Sequence, residues 1–73
     1  MKKMNINKDV IDKADKDKLF DLLTNKQLPL SQAVVVHFCD DLKWRQCDVS
    51  RLLDVSYMAV GDALRKGRQK LEE

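Results

Sequence analysis

Apolar residues recur at helical spacing along most of this chain, in groups that are separated by short polar stretches. Residues three and four positions apart share one face of an α-helix, so this spacing predicts amphipathic helices. The pattern predicts an all-α domain of four or five helices that spans residues 1–73. The groups, in chain order, are Val10, Ile11 and Ala14; Leu19, Phe20, Leu22 and Leu23; Val34, Val35 and Phe38; Val49, Leu52 and Leu53; and Val60, Ala63 and Leu64.

The N-terminal third begins with a polar, lysine-bearing segment, residues 1–7, which is predicted to be a flexible arm. Asn7 can cap a helix that begins at Lys8, because its side-chain oxygen can accept a hydrogen bond from the first helical turn. The apolar stripe then continues to about Asn25. The stretch forms either one helix or two, since residues 14–17 offer little to bury.

A further helix is predicted after Pro29, which disfavours helical backbone at the residue before it. Ser31 is placed to cap this helix, which would continue to Leu42. Its valine-rich sequence is also compatible with a strand, but the serine cap and the length of the segment favour a helix at the centre of the core. We interpret Trp44, which follows, as an anchor at the core or its rim in preference to a base-stacking residue.

The stretch from Arg45 to Arg68 predicts two helices that are joined by a tight turn. Ser56 can cap the second of these helices, which would begin at Tyr57. Gly67 either ends this second helix or only weakens it. Two short helices, a turn of about four residues and a basic tail are typical of a helix-turn-helix unit, whose second helix enters the DNA major groove.

Composition limits what a chain of 73 residues can do. Its 44% hydrophobic residues are enough for one small core, and only two glycines and one proline argue against a turn-rich β architecture. The longest apolar run, 33–36, is far too short to span a bilayer, and the residues after Met1 are polar where a signal peptide would be apolar. We therefore expect a soluble cytoplasmic protein, nucleoid-associated if it binds DNA, with no membrane partner.

The excess of basic over acidic residues lies in the C-terminal part of the chain, although the net charge is only +2. Residues 1–42 hold seven Lys and seven Asp, which cancel. Residues 43–70 hold seven Lys or Arg against three acidic residues. A local basic surface of this kind is compatible with phosphate contacts. A charged face that only meets solvent is the alternative.

Candidate residues for catalysis or metal binding are sparse. His37 and Cys39, together with Cys47, could be assembled into a metal site, but no CxxC or HxxxH spacing exists and the set falls short of four ligands. The cysteines are also too few for a disulfide scaffold, so we expect both thiols to stay reduced. One histidine, no glycine-rich phosphate loop and no recognisable nucleophile set predict no metal, no cofactor and no enzymatic activity.

The stretch 46–65 resembles the helix-turn-helix of phage Cro repressors and of plasmid repressors in the KorA/TrfB group. Such units have apolar residues at the fourth, eighth, tenth and fifteenth positions and a small residue at the fifth. The matching residues are Val49, Leu53, Val55, Val60 and Ser50. The ninth position is usually glycine, because the turn favours a left-handed backbone; here it is Asp54, which tolerates that conformation better than most residues but less well than glycine. Residues 33–42, followed by Lys43, also resemble the helix that precedes the motif in the KorA/TrfB group.

The resemblance implies which residues would meet DNA. Its base-facing positions contain no Gln, Asn or Arg, the side chains that read adenine or guanine with paired hydrogen bonds. Met58 and the ring of Tyr57 could contact thymine methyl groups, whereas Asp62 either accepts from a cytosine amino group or pairs with Lys66 and reads no base. The base-facing set is Tyr57, Met58, Gly61 and Asp62; the phosphate contacts are Gln46, Ser56, Arg65 and Arg68, with Lys66 as a further basic residue of the site.

The resemblance also implies a function, which is sequence-specific binding to a double-stranded DNA operator by a transcriptional repressor from a phage, a plasmid or another mobile element. A homodimer on a palindromic operator is expected, because one small module buries too little surface for tight specific binding. The candidate dimer surface is the apolar stripe Val10, Ile11, Phe20 and Leu23. The alternatives are a protein-interaction module, such as a sigma-like or polymerase-binding adaptor that keeps the helix-turn-helix shape, and a helical hairpin with no nucleic-acid role.

Overall fold

The computed structural model describes residues 5–72, and this range contains five α-helices and no strand. The helices are α1 (Lys8–Lys13), α2 (Lys16–Thr24), α3 (Leu30–Val36), α4 (Gln46–Leu53) and α5 (Tyr57–Glu72). A π-helical turn, His37–Asp41, continues α3. The all-α prediction is confirmed, and the valine-rich segment is a helix rather than a strand.

The N-terminal stretch forms two helices, which settles the open choice between one helix and two. The predicted cap of α1 is confirmed, because the side-chain oxygen of Asn7 accepts from the backbone N–H of Val10 at 3.2 Å. The helix ends where Ala14 adopts an extended backbone. Asp15 then caps α2, and one of its carboxylate oxygens accepts from the N–H of Lys18 at 3.4 Å.

A buried histidine stabilises the break between α1 and α2 through a hydrogen bond. His37 is fully buried, and its Nε2 accepts from the backbone N–H of Asp15 at 2.9 Å. Its Nδ1 lies 2.9 Å from a carboxylate oxygen of Asp41. Since an N–H donor occupies Nε2, the ring proton sits on Nδ1 and is donated to Asp41. Both nitrogens of this buried ring are therefore satisfied, as buried polar groups normally are.

The expected flexible arm is in part attached to the domain. The N–H of Asn5 donates to the carbonyl of Leu53 at 2.8 Å, and Ile6 packs against the core. Residues 5–7 of the predicted arm therefore have both a backbone partner and an apolar contact in the domain. Residues 1–4 lie outside the described part of the chain.

The start of α3 differs from the predicted one. The helix begins at Leu30 with Pro29 in the cap position, and no side chain caps it. The restricted φ of the proline leads directly into the helix, and the N–H of Ala33 donates to the carbonyl of Pro29 at 2.8 Å. Ser31 therefore lies inside the first turn, and the prediction that it caps the helix is wrong.

The core is built around α3 and its π-helical continuation. Six consecutive residues, 33–38, are buried, because α3 packs against both α2 and α5. Trp44 lies at the rim, where its ring meets that of Phe38 edge-on with the centroids 5.0 Å apart. Its predicted role as an anchor is confirmed. The fully buried aliphatic residues of the other elements are Val10, Val49, Leu53 and Val60.

Helix α5 comes close to α3 at Gly67, which is buried within the long helix. A Cβ at this position would lie 2.5 Å from Cγ2 of Val36. The helix continues to Glu72, so the predicted alternative in which Gly67 ends it is wrong. The residue is small because the two helices meet there. Leu71, in the last turn, also packs against the core.

The predicted dimer stripe is not one continuous surface. Val10 is fully buried, and Ile11 and Leu23 are partly buried against the core. Phe20 is 66% exposed. The prediction is wrong for Val10, because the short helix α1 is attached to the domain through this side chain.

Candidate nucleic-acid interface

A three-residue turn connects α4 to α5. Asp54 has a left-handed backbone, with φ 55° and ψ 47°, which is the conformation that the resemblance implies at this position. The carbonyl of Ser50, at the end of α4, accepts from the backbone N–H of Asp54 and from that of Val55, the latter at 3.0 Å. The hydroxyl of Ser56 accepts from the N–H of Ala59 at 3.1 Å, so the predicted cap of α5 is confirmed.

The first turn of α5 carries two large side chains that face solvent. Tyr57 is 58% exposed and Met58 is 82% exposed. Another face of the same helix carries Val60, Ala63 and Leu64, which are buried in the core. Met58 is therefore available to a partner and is not a core residue.

Gln46 and Gly61 lie next to each other, where α4 begins beside α5. The side-chain oxygen of Gln46 is 3.3 Å from the point at which a Cβ of Gly61 would lie. The resemblance implies that Gly61 lets α5 approach a base closely, but this α4 side chain occupies part of the space beside it. Both residues line a shallow cleft together with Leu64, Arg65 and Arg68.

Asp62 is bonded to basic residues of its own helix. Nη2 of Arg65 donates to one carboxylate oxygen at 2.8 Å, and Nζ of Lys66 lies 3.1 Å from the other. The hydrogen bond from Lys66, and next that from Arg65, hold the pKa of Asp62 below its usual range. The predicted ion pair between Asp62 and Lys66 is therefore present. This carboxylate consequently neutralises part of the positive charge on the face.

Arg68 is bonded to a carboxylate from a distant part of the chain. Its Nε and Nη2 donate to the two oxygens of Asp40, in the π-helical turn, and the Nε bond measures 3.2 Å. This two-point pairing raises the pKa of Arg68. The phosphate contact predicted for Arg68 would therefore have to compete with an internal partner.

Three basic residues around Trp44 are not part of the predicted site. Lys43, Arg45 and Arg51 are exposed and line a shallow cleft with Trp44 and one acidic residue, Asp48. Lys43 has a positive φ of 61°, at the point where the chain leaves the π-helical turn. The run Lys-Trp-Arg is the sequence signal that could have indicated this patch, since cations beside an aromatic ring suit a polyanion that carries bases.

Both cysteines are free thiols that are partly buried. Burial, and next the carboxylate of Asp40, raise the pKa of Cys39 and so disfavour its thiolate form. Within residues 5–72, no group of three or more His, Cys, Asp or Glu side chains is arranged to hold a metal ion.

The resemblance to Cro and KorA/TrfB repressors rests on the motif residues alone, because comparisons with protein-family models, curated proteins and solved structures found no match. It therefore stays a prediction. Among the helices of the described range, none is long and apolar enough to cross a membrane.

Proposed function

We propose that the chain is a sequence-specific double-stranded DNA-binding protein that acts as a transcriptional repressor. The observation that carries this proposal is the exposure of Tyr57 and Met58 on the first turn of α5, directly after a tight turn. In helix-turn-helix proteins, residues at this place reach base edges in the major groove. The proposal assigns the motif to α4 and α5, with Asp54 at the left-handed position between them.

Buried contacts support α5 as a rigid reading element. Its C-terminal half is held against α3, where Gly67 meets Val36, and its first turn is held to the core through the fully buried Val60. A helix that is fixed in a core holds its exposed side chains in defined positions, which base readout requires.

The side chains on this face favour particular contacts. Met58 and the ring of Tyr57 offer apolar surface that suits thymine methyl groups. Asp62 forms ion pairs with Arg65 and Lys66. We therefore propose that it neutralises part of the positive charge on this face and contacts no base. Lys43, Arg45 and Arg51 add positive charge on the α4 side, where they would meet flanking phosphates.

Selection of bound sequences from a random duplex pool, followed by titration at several salt concentrations, tests the proposal. We expect the selection to enrich one duplex sequence. The logarithm of its association constant with the protein should fall linearly with the logarithm of salt concentration, because phosphate contacts release counterions. Absence of duplex binding at low salt would overturn the proposal. It would favour the protein-interaction module, since the exposed Tyr57 and Met58 would also suit an apolar partner surface.

Replacing Met58 with alanine should lower affinity for the selected duplex about tenfold, since one base contact is worth roughly 1–3 kcal/mol. Affinity for an unselected duplex should not change, because no charge is lost. The melting temperature should also stay the same, because a side chain that is 82% exposed contributes little to the core. Fluorescence anisotropy with both duplexes and thermal melting measure these three quantities.

Leu30→Ala is the matched control for this substitution. Leu30 is another large apolar side chain that is exposed, but it lies at the start of α3 rather than on α5. Its replacement should change neither affinity. If Met58→Ala loses affinity for both duplexes equally, or melts early, the base-reading role of Met58 is wrong.

We also propose that two copies bind a palindromic operator, and that Phe20 lies at the centre of the contact between them. Phe20 is the exposed apolar member of the predicted dimer stripe. Phe20→Ser should convert a dimer at micromolar concentration into a monomer with little change in stability, as sedimentation and thermal melting would show. A dimer that persists in the variant would place the contact elsewhere. If the unsubstituted protein is a monomer well above that concentration, the proposed dimer is wrong.

A further inference from the structure

Three basic residues of α5 are held by carboxylates in the free protein, but the two arrangements differ. Arg65 and Lys66 pair with Asp62 on their own helix, through single contacts between exposed side chains. Such pairs are weak and exchange readily with solvent. Arg68 instead pairs with Asp40, which is 28 residues away in the sequence, and it donates through two nitrogens to both oxygens. Two-point pairing fixes the guanidinium in one orientation.

Arg68 lies beside the surface that the proposed function assigns to DNA. It lines one cleft with Gln46 and Arg65, and a second cleft with Arg45 and Tyr57. Its side chain is about half exposed. A phosphate that lies along the start of α4 would therefore meet a guanidinium that Asp40 already holds.

We propose that Asp40 is an autoinhibitory carboxylate, which competes with DNA phosphate for the guanidinium of Arg68. The inference rests on the proposed function. Carboxylate and phosphate match the same guanidinium fork with two parallel hydrogen bonds, so one can replace the other without rearrangement of the helix. After the exchange, Asp40 is left without this partner and beside a phosphate, which it repels. Asp40 thereby lowers the affinity of the protein for every duplex. Only operators whose base contacts offset this loss are then bound tightly.

Substitution of Asp40 tests this competition. Asp40→Asn removes the competing charge, and Asp41→Asn is the matched control, because it makes the same change in net charge at the next residue. Asp41 pairs with His37 and not with a residue of α5. Asp40→Asn should raise affinity for selected and unselected duplexes by up to about fivefold more than Asp41→Asn does, since an exposed ion pair is weak. The logarithm of the association constant should also fall more steeply with the logarithm of salt concentration for Asp40→Asn, by up to about one unit of slope. When DNA displaces Asp40 from Arg68 in the unsubstituted chain, the released carboxylate takes up a cation, and Asp40→Asn removes this uptake.

A double substitution separates competition from a general effect of charge. In a chain that already carries Arg68→Gln, Asp40→Asn should have the same effect as Asp41→Asn. Asp40→Ser is a second charge-removing variant with the same expected gain in affinity, and circular dichroism at the binding temperature checks that each variant is folded.

Two results would overturn the inference, and they are distinguishable. If the unchanged chain binds duplexes but Asp40→Asn and Asp41→Asn have equal effects, the competition is wrong and the proposed function stands. If the unchanged chain binds no duplex at low salt, both the proposed function and this inference fall.

Discussion

Replacing His37 with alanine should destabilise the protein by about 3–5 kcal/mol, which is the largest effect that we expect from a single substitution. The ring is fully buried, so its removal leaves a cavity. It also leaves the backbone N–H of Asp15 without its acceptor at the break between α1 and α2. Since domains are stable by only about 5–15 kcal/mol, the variant should be close to unfolding. Urea denaturation of the variant and the unchanged chain measures the difference.

Two further variants separate the loss of the hydrogen bond at His37 from the loss of volume. Gln can present an oxygen near the position of Nε2, whereas Leu fills the space without an acceptor. His37→Gln should therefore be more stable than His37→Leu by about 1–3 kcal/mol, the cost of a buried N–H with no partner. Equal stability of the two variants would mean that the bond to Asp15 contributes little to the fold.

A single methyl group at Gly67 should lower stability by about 1–3 kcal/mol, even though alanine is the better helix former. The added Cβ would lie 2.5 Å from Cγ2 of Val36. Val36 is itself buried, and a β-branched side chain on a helix has essentially one rotamer available, so it cannot turn aside. Gly67→Ala must therefore push α5 away from α3.

Gly61→Ala is the matched control on the same helix. Its Cβ would meet only the mobile end of the Gln46 side chain, at 3.3 Å, so helix propensity should dominate and raise stability by up to about 1 kcal/mol. Thermal melting should shift downward for Gly67→Ala and upward for Gly61→Ala. Shifts in the same direction would contradict the close contact between α3 and α5.

Features that depend on neighbouring residues could be predicted well. The caps at Asn7 and Ser56 each involve a backbone N–H three residues further on. The left-handed turn at Asp54 and the exposure of Met58 follow from local backbone preference and from helical periodicity. Ser31 is an exception, because the helix starts earlier, after Pro29, and the serine therefore does not lie in the cap position.

Features that join distant parts of the chain could not be predicted. Gly67 looks like a helix terminator until Val36 is seen beside it. His37 looks like an isolated histidine, or a poor metal ligand, until the backbone of Asp15 is found within hydrogen-bond distance. Lys43, Arg45 and Arg51 become one basic patch only when the rim around Trp44 is assembled.

The order of residues was therefore enough to predict that the chain is helical, that α1 begins at Lys8 and α5 at Tyr57, and that the first turn of α5 carries the exposed Tyr57 and Met58. Those properties depend on interactions within about one helical turn, which the order of residues specifies directly. Three other features became visible only in the folded chain: the pairing of Asp40 with Arg68, the burial of Val10, and the close approach of α3 and α5 at Gly67. These features depend on how the helices pack. The effect of a charged group, a methyl group or a glycine is set by the residues of the neighbouring helix that it contacts.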